Sequence, residues 1–166
     1  IETACALLKR DSIHGKFNAD ISIEKSYINI NGNKIYYSKI DKLEEINWKD
    51  SDVDFVLECT GKFNSKEKLI PHLSNGAKKV IVSAPCKNAD KTIVFGVNEK
   101  EIKKEDKIIS AASCTTNCLA PVAHVLNENF EIEKGFMTTI HSFTTDQRIL
   151  DNSHNCLLYT SPSPRD

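Results

Sequence analysis

The 166-residue chain lacks several features that would direct its reading elsewhere. Its longest apolar runs are a handful of residues, far short of the roughly 20 that a membrane-spanning helix needs. No signal peptide is expected, because Ile1 is followed by Glu2 and no charged start precedes an apolar stretch. No block of one charge sign occurs: 22 basic and 23 acidic residues are spread along the chain for a net charge of −1. That balance argues against nucleic acid and anionic membranes as partners. Of six cysteines, at 5, 59, 86, 114, 118 and 156, none forms a C-x-x-C pair. With no secretory signal, they are expected to be reduced thiols of a cytoplasmic protein. An initiator Met is missing too, so the chain is expected to begin inside a longer protein.

What remains is an ordinary globular composition, 40% hydrophobic, of about one domain's length. Residues 2–10 predict a helix, with Ala4, Leu7 and Leu8 at helical spacing. The runs 27–30 (YINI) and 34–38 (KIYYS) flank Asn31-Gly32, a tight-hairpin signal. The run 53–57 (VDFVL) reads as a buried strand entering a turn. Residues 66–74 read as a helix disturbed by Pro71 and capped by Gly76. Three further strands are expected at 79–85 (KVIVSAP), 92–96 (TIVFG) and 107–112 (KIISAA). Strand–helix–strand order with near-continuous apolar strands predicts an α/β protein with a largely parallel sheet. Ligands of such sheets sit beyond the carboxyl ends of the strands. Three turns of small residues fall there: Thr60-Gly61, Ser83-Ala84-Pro85 and Ala112-Ser113-Cys114. They are ligand-approach points or simply turns.

Leu119, Val122, Ala123, Leu126 and Phe130 lie on one face of a helix expected over about 115–130, with Pro121 set to kink or restart it. Residues 136–143 (FMTTIHSF) read as a strand. The tail 156–166 loses all periodicity, ends in Ser-Pro-Ser-Pro, and is expected to be non-native.

The segment IISAASCTTNCLAPVAHVL, residues 108–126, carries the chemistry. A strand runs into a turn and Cys114 opens a helix. Unpaired backbone N–H groups and the positive end of the helix dipole favour thiolate over thiol there. The same N–H groups can hold an oxyanion formed when sulfur attacks a carbonyl. His141 is the best candidate for an adjacent base and acid. The plainer alternative is that Cys114 is a small buried hydrophobe. Cys114 and Cys118 share a helix face, yet no second ligand pair accompanies them, so no metal site is expected. Cys118 reads as a packed neighbour of the thiol. His14, His72, His124 and His154 show no partner pattern and read as surface or helix-face residues.

The run Ser113-Cys114-Thr115-Thr116-Asn117-Cys118-Leu119-Ala120-Pro121 resembles the active-site signature of glyceraldehyde-3-phosphate dehydrogenases. Other segments resemble that family in order: residues 8–15 (LLKYDSVHG in the family), 58–63 (ESTGVF), 81–85 (VIISAP) and 139–144 (TVHSYT). The resemblance covers residues 1 to about 155. It implies that Cys114 is the nucleophile and that His141 takes the thiol proton and assists hydride transfer to NAD. It implies that Ser113 and Thr115 help hold the attacking inorganic phosphate, that Thr144 contacts the substrate's own phosphate, and that Thr60, Gly61 and Ser83 line the NAD site. It further implies a cytoplasmic homotetramer acting on a small-molecule substrate in glycolysis.

The domain reading that follows is an N-terminally truncated, Rossmann-type NAD-binding domain over 1–113 and the start of an α+β catalytic domain over 114–155. The family's Gly-rich phosphate loop and ribose-binding acid would precede Ile1, so NAD over NADP rests on the family majority. The substrate-phosphate arginine would follow the end of the chain, and Asp146 stands where many members carry threonine. The isolated chain is therefore expected to be inactive. Two rivals are erythrose-4-phosphate dehydrogenase, against which the Thr144 region weighs modestly, and a Cys-His acyl transferase or hydrolase. The latter would not need Thr60-Gly61 and Ser83-Ala84-Pro85 at consecutive strand ends.

Overall fold

A computed structural model describes residues 1–144; the expectations for Asp146, His154 and the 156–166 tail lie outside the described residues. The described residues divide into two compact units, Ile1–Lys39 with residues 141–144, and Ile40–Ile140.

In the first unit, helix α1 (Glu2–Lys9) precedes a two-stranded pair, β1 (Arg10–Asp11) and β2 (Gly15–Lys16). An antiparallel meander follows: β3 (Ile21–Glu24), β4 (Tyr27–Ile30) and β5 (Asn33–Tyr36). The Asn31-Gly32 hairpin forms as expected. Both residues have positive φ, 50° and 87°, as the two-residue turn matching strand twist requires. The Asn29 side chain accepts the Gly32 amide at 2.8 Å, which closes the turn. Cys5, Ile21 and Ile28 form a small core, with Ile1, Ala19, Ile30 and Tyr37 packed around it.

The second unit is a βαβ structure. Strand β6 (Phe55–Glu58) leads through α2 (Lys66–Ser74) to β7 (Lys79–Val82), followed by β8 (Lys91–Thr92), β9 (Ile108–Ser110) and α3 (Cys114–Phe130). The strands run parallel in the order β6-β7-β9-β8. The α/β class and parallel sheet read from the sequence are therefore present. Val56, Leu69, Ala77, Val80, Val82, Cys86 and Ile108 make the core, with Leu69, Val80 and Ile108 fully enclosed. Asp90 ties the sheet's lower edge: its Oδ2 accepts the amides of Lys107 and Ile108, each at 2.9 Å, and its Oδ1 pairs with the Lys66 ammonium.

Several local expectations change. Strand β6 is buried on one face only; Val56 and Glu58 point in, while Phe55 and Leu57 are exposed. The strand expected over 92–96 ends at Thr92, because the Asn98 side chain satisfies backbone groups there instead. Its Oδ1 accepts the Val94 amide at 2.8 Å and its Nδ2 donates to the Thr92 carbonyl at 3.1 Å. Neither proline breaks its helix: α2 runs through Pro71 and α3 through Pro121. One missing N–H in each is outweighed by the remaining i→i−4 ladder. Residues 136–143 form no strand, since none of the described strands lies beside them to complete a ladder. No described helix is long and apolar enough to cross a membrane.

Candidate active site

Because β6, β7 and β9 are parallel neighbours, the three small-residue turns that follow them share one edge of the sheet. Backbone bonds carry the ladder into these turns. Ser83 N–H donates to the Glu58 carbonyl at 3.0 Å, and Ala111 N–H to the Val82 carbonyl at 2.9 Å. Ser110, fully buried, ties two of the turns together: its hydroxyl donates to the Ala84 carbonyl at 2.9 Å and accepts the Ala112 amide at 3.1 Å. This holds Ala112 in the left-handed region, φ 61°, a conformation that a side chain disfavours.

Beyond that bend, Ser113 is the N-cap of α3 and Cys114 its first residue. The Ser113 hydroxyl accepts the Thr116 amide at 3.0 Å and lies 2.8 Å from the Thr116 hydroxyl. The Asn117 side chain donates back to the carbonyls of Ala111 and Ser113, at 2.7 and 2.8 Å. The thiol of Cys114 is thus exposed at the electropositive end of a 17-residue helix, as expected, and not buried. Thr115 follows it, half-buried. Cys118, read as packed against the thiol, is instead exposed: α3 contributes no buried residue, so its second turn meets no core.

An open groove of about 470 Å³ runs beside this turn, lined by Pro85, Cys86, Thr92, Ser110, Ser113 and Thr116 among others. Cys86 went unnoticed in the sequence because no motif marks it. Burial pushes its thiol pKa up, and the Glu67 carboxylate adds to the shift, so it is a poor nucleophile beside the exposed Cys114.

At the end of β6, Thr60 and Gly61 form an exposed turn in which Gly61 takes φ 71°, a value that glycine alone reaches without strain. The turn rests on Glu58, one of the few charged groups in the core. One Glu58 oxygen accepts both the Thr60 amide, at 2.7 Å, and the Thr60 hydroxyl. The other lies 3.3 Å from His72 Nε2, and His72 Nδ1 accepts the Trp48 indole N–H at 3.0 Å. His72 is therefore not a surface residue. It is 2% exposed, because the face of α2 that carries it packs onto the sheet over Glu58. The spacing Glu58–His72 crosses from strand to helix, so no local pattern announced it. Thr60, Gly61, Ser83 and Ala84 offer only small side chains along the shared edge, which leaves the backbone there open to close approach.

His141 and Thr144 belong to the other unit, and both are exposed. The His141 Nδ1 donates to the Ser142 carbonyl at 2.6 Å. Among the described residues no three His, Cys, Asp or Glu side chains gather to hold a metal ion, and none of the five described cysteines is joined by a disulfide.

Comparison with known proteins agrees with this geometry. Residues 1–66 match the family model for the NAD binding domain of glyceraldehyde 3-phosphate dehydrogenase, and residues 113–161 match the model for its C-terminal domain. A glyceraldehyde-3-phosphate dehydrogenase of Cereibacter sphaeroides is 49% identical over 157 residues, covering 95% of this chain and 46% of that protein. One from Clostridium acetobutylicum is 51% identical over 148 residues, 89% of this chain and 44% of the relative. One from Geobacillus stearothermophilus is 50% identical over 156 residues, 93% and 47% respectively. The chain thus spans a little under half the length of the curated relatives it matches. With the helix that Cys114 opens, the parallel sheet and both family models in agreement, this chain belongs to the glyceraldehyde-3-phosphate dehydrogenase family.

Proposed function

We propose that this chain serves the NAD-dependent oxidation and phosphorylation of glyceraldehyde 3-phosphate to 1,3-bisphosphoglycerate. The observation that carries the reading is Cys114 as the exposed first residue of α3, behind a Ser113 cap and a strained Ala112. His141 takes the Cys114 thiol proton, the thiolate adds to the aldehyde carbon, and the proton passes to the carbonyl oxygen to give the hydroxyl of a hemithioacetal. The first-turn amides of α3 stabilise the oxyanion on the way. His141 then takes the hydroxyl proton and so assists hydride transfer as the carbon is oxidised. Thr60, Gly61 and Ser83 would hold NAD, which would supply the acceptor for the hydride. Inorganic phosphate, steadied by Ser113 and Thr115, then attacks the thioester carbon. The carbon–sulfur bond breaks, an acyl phosphate leaves and the thiolate returns. Thr144 holds the substrate's own phosphate.

In this reading, residues 1–113 are the NAD-binding domain, 114–155 open the catalytic domain, and 156–166 are a non-native tail. The partners are a small aldehyde and inorganic phosphate, in a cytoplasmic homotetramer, with neither nucleic acid nor membrane. The 166-residue chain alone is inactive, since the resemblance puts the Gly-rich loop and the substrate-phosphate arginine outside it.

The test is Cys114→Ser in a full-length protein carrying this segment. Dehydrogenase turnover is expected to fall at least about 10⁴-fold, because the covalent route is removed. Retained turnover would eliminate the nucleophile. Replacing His141 by Asn should slow iodoacetamide labelling of Cys114 near neutral pH, followed by peptide mass spectrometry, and an unchanged rate would separate the pair.

A further inference from the structure

The hydrogen-bond chain under the Thr60-Gly61 turn has a forced direction. An indole N–H only donates and a carboxylate only accepts. Trp48 Nε1 faces His72 Nδ1 at 3.0 Å, so Nδ1 must carry a lone pair and the ring's single hydrogen sits on Nε2. That hydrogen points at Glu58 Oε2, 3.3 Å away. An imidazolium would set two donors against each other at Trp48, so the arrangement admits only the neutral ring. The Glu58 oxygens are then filled by His72 on one side and by the Thr60 amide and hydroxyl on the other. Glu58 and His72 are 4% and 2% exposed, and a carboxylate so enclosed persists only when its acceptor sites are met. All four residues lie within the second unit.

We propose that Glu58 is the positioning residue of the Thr60-Gly61 turn, and that Trp48, acting through a single His72 tautomer, locks it in place. The proposal rests on the reading of Thr60 and Gly61 as cofactor contacts. Its chemical consequence is specific. With its hydrogen committed to Glu58, the Thr60 hydroxyl meets a ligand as an acceptor, suited to a ribose hydroxyl or an amide N–H and unsuited to donating to a phosphate oxygen.

The logic makes an isosteric variant disruptive. In Glu58→Gln, the amide N–H that replaces Oε2 faces the His72 Nε2–H. If His72 changes tautomer to relieve this, Nδ1–H confronts the Trp48 indole. Adding Trp48→Phe removes that second conflict and lets the ring switch. Long-range proton–nitrogen NMR of the 166-residue chain should therefore show His72 neutral with its hydrogen on Nε2. An Nδ1–H tautomer or an imidazolium at neutral pH would overturn the proposal without any variant being made. In Glu58→Gln, solvent exchange of the Thr60 amide should rise about tenfold, with the Val80 and Ile108 amides confirming that the sheet is intact. Trp48→Phe/Glu58→Gln should bring it back to within about twofold of Trp48→Phe alone, with His72 now carrying its hydrogen on Nδ1. Unchanged exchange in the single variant, or no recovery in the double, would also overturn it. These readouts need no cofactor. Titration with NAD of a full-length protein carrying this segment tests the underlying reading separately: resonance shifts at Thr60 and Gly61 support it, and their absence with the His72 tautomer intact removes the cofactor assignment alone.

Discussion

The parallel sheet and helix α3 stand side by side in the sequence and contrast in how they are held. The sheet is held by long-range burial: Leu69, Val80 and Ile108 are fully enclosed, and even its charged insertion, Glu58, has every acceptor oxygen occupied. Helix α3 is held by local means. It has a serine cap, an asparagine that ties its first turn to the preceding bend, and 17 residues of backbone ladder, yet none of its residues is buried. Val122, Val125 and Phe130 all lie open among the described residues. An amphipathic pattern makes a helix; it does not supply the surface that covers it. The nucleophile sits at the junction, where the rigid sheet hands a strained residue, Ala112, to a locally capped helix.

The largest effect should come from breaking the sheet side. Leu69→Ala removes a fully buried side chain and is expected to cost about 2–5 kcal/mol in denaturant unfolding. Val125→Ala, on the open face of α3, is expected to stay within about 0.5 kcal/mol of wild type. Comparable losses at the two positions would show that α3 is packed as tightly as the sheet.

A smaller effect is expected at the sheet's lower edge. Burial pushes the Asp90 carboxyl up, but the Lys66 ammonium and the Ile108 and Lys107 amides more than reverse this, and its pKa is lowered overall. Asp90→Asn should cost about 1–3 kcal/mol, since the pairing with Lys66 loses its charge. A change below experimental error would mean that the amides of β9 are satisfied some other way.

The smallest effect sharpens the local side. Glu67, in the first turn of α2, has its pKa lowered from 4.5 to about 2 by the Asn88 side-chain amide, its own backbone N–H and the Ser65 hydroxyl. Lowered in the folded state, it contributes stability that is present above pH 4.5 and lost as pH falls from there toward 2. Glu67→Gln should lower stability slightly at neutral pH and flatten the profile in that acid window, the difference from wild type vanishing toward pH 2. A profile identical to wild type across the window would deny the carboxylate this role.

Much of the fold was legible in the residues because the signals were local. Asn31-Gly32 required a two-residue turn, the strand and small-residue turn before Cys114 pointed to a helix start there, and the runs around Val56, Val80 and Ile109 required strands in a helix-linked order. Signals failed where a distant or side-chain partner decided the outcome. Residues 93–96 have strand composition, yet Asn98 takes the Val94 amide and Glu99 the Gly96 amide. Residues 136–143 alternate like a strand but have no ladder among the described residues. His72 carried no motif because its partners, Trp48 and Glu58, are 24 and 14 positions away.

By itself, the order of residues determined the α/β class, the helix that Cys114 opens and the small-residue turns after β6, β7 and β9, since propensity, capping and alternation act within a few positions. Tertiary structure alone decided that three of those turns share one edge, that Ser110 bends Ala112 beneath the nucleophile, and that Glu58 and His72 meet under Thr60. Those outcomes depend on register between strands far apart in the chain, and register is set by what the sheet can bury together.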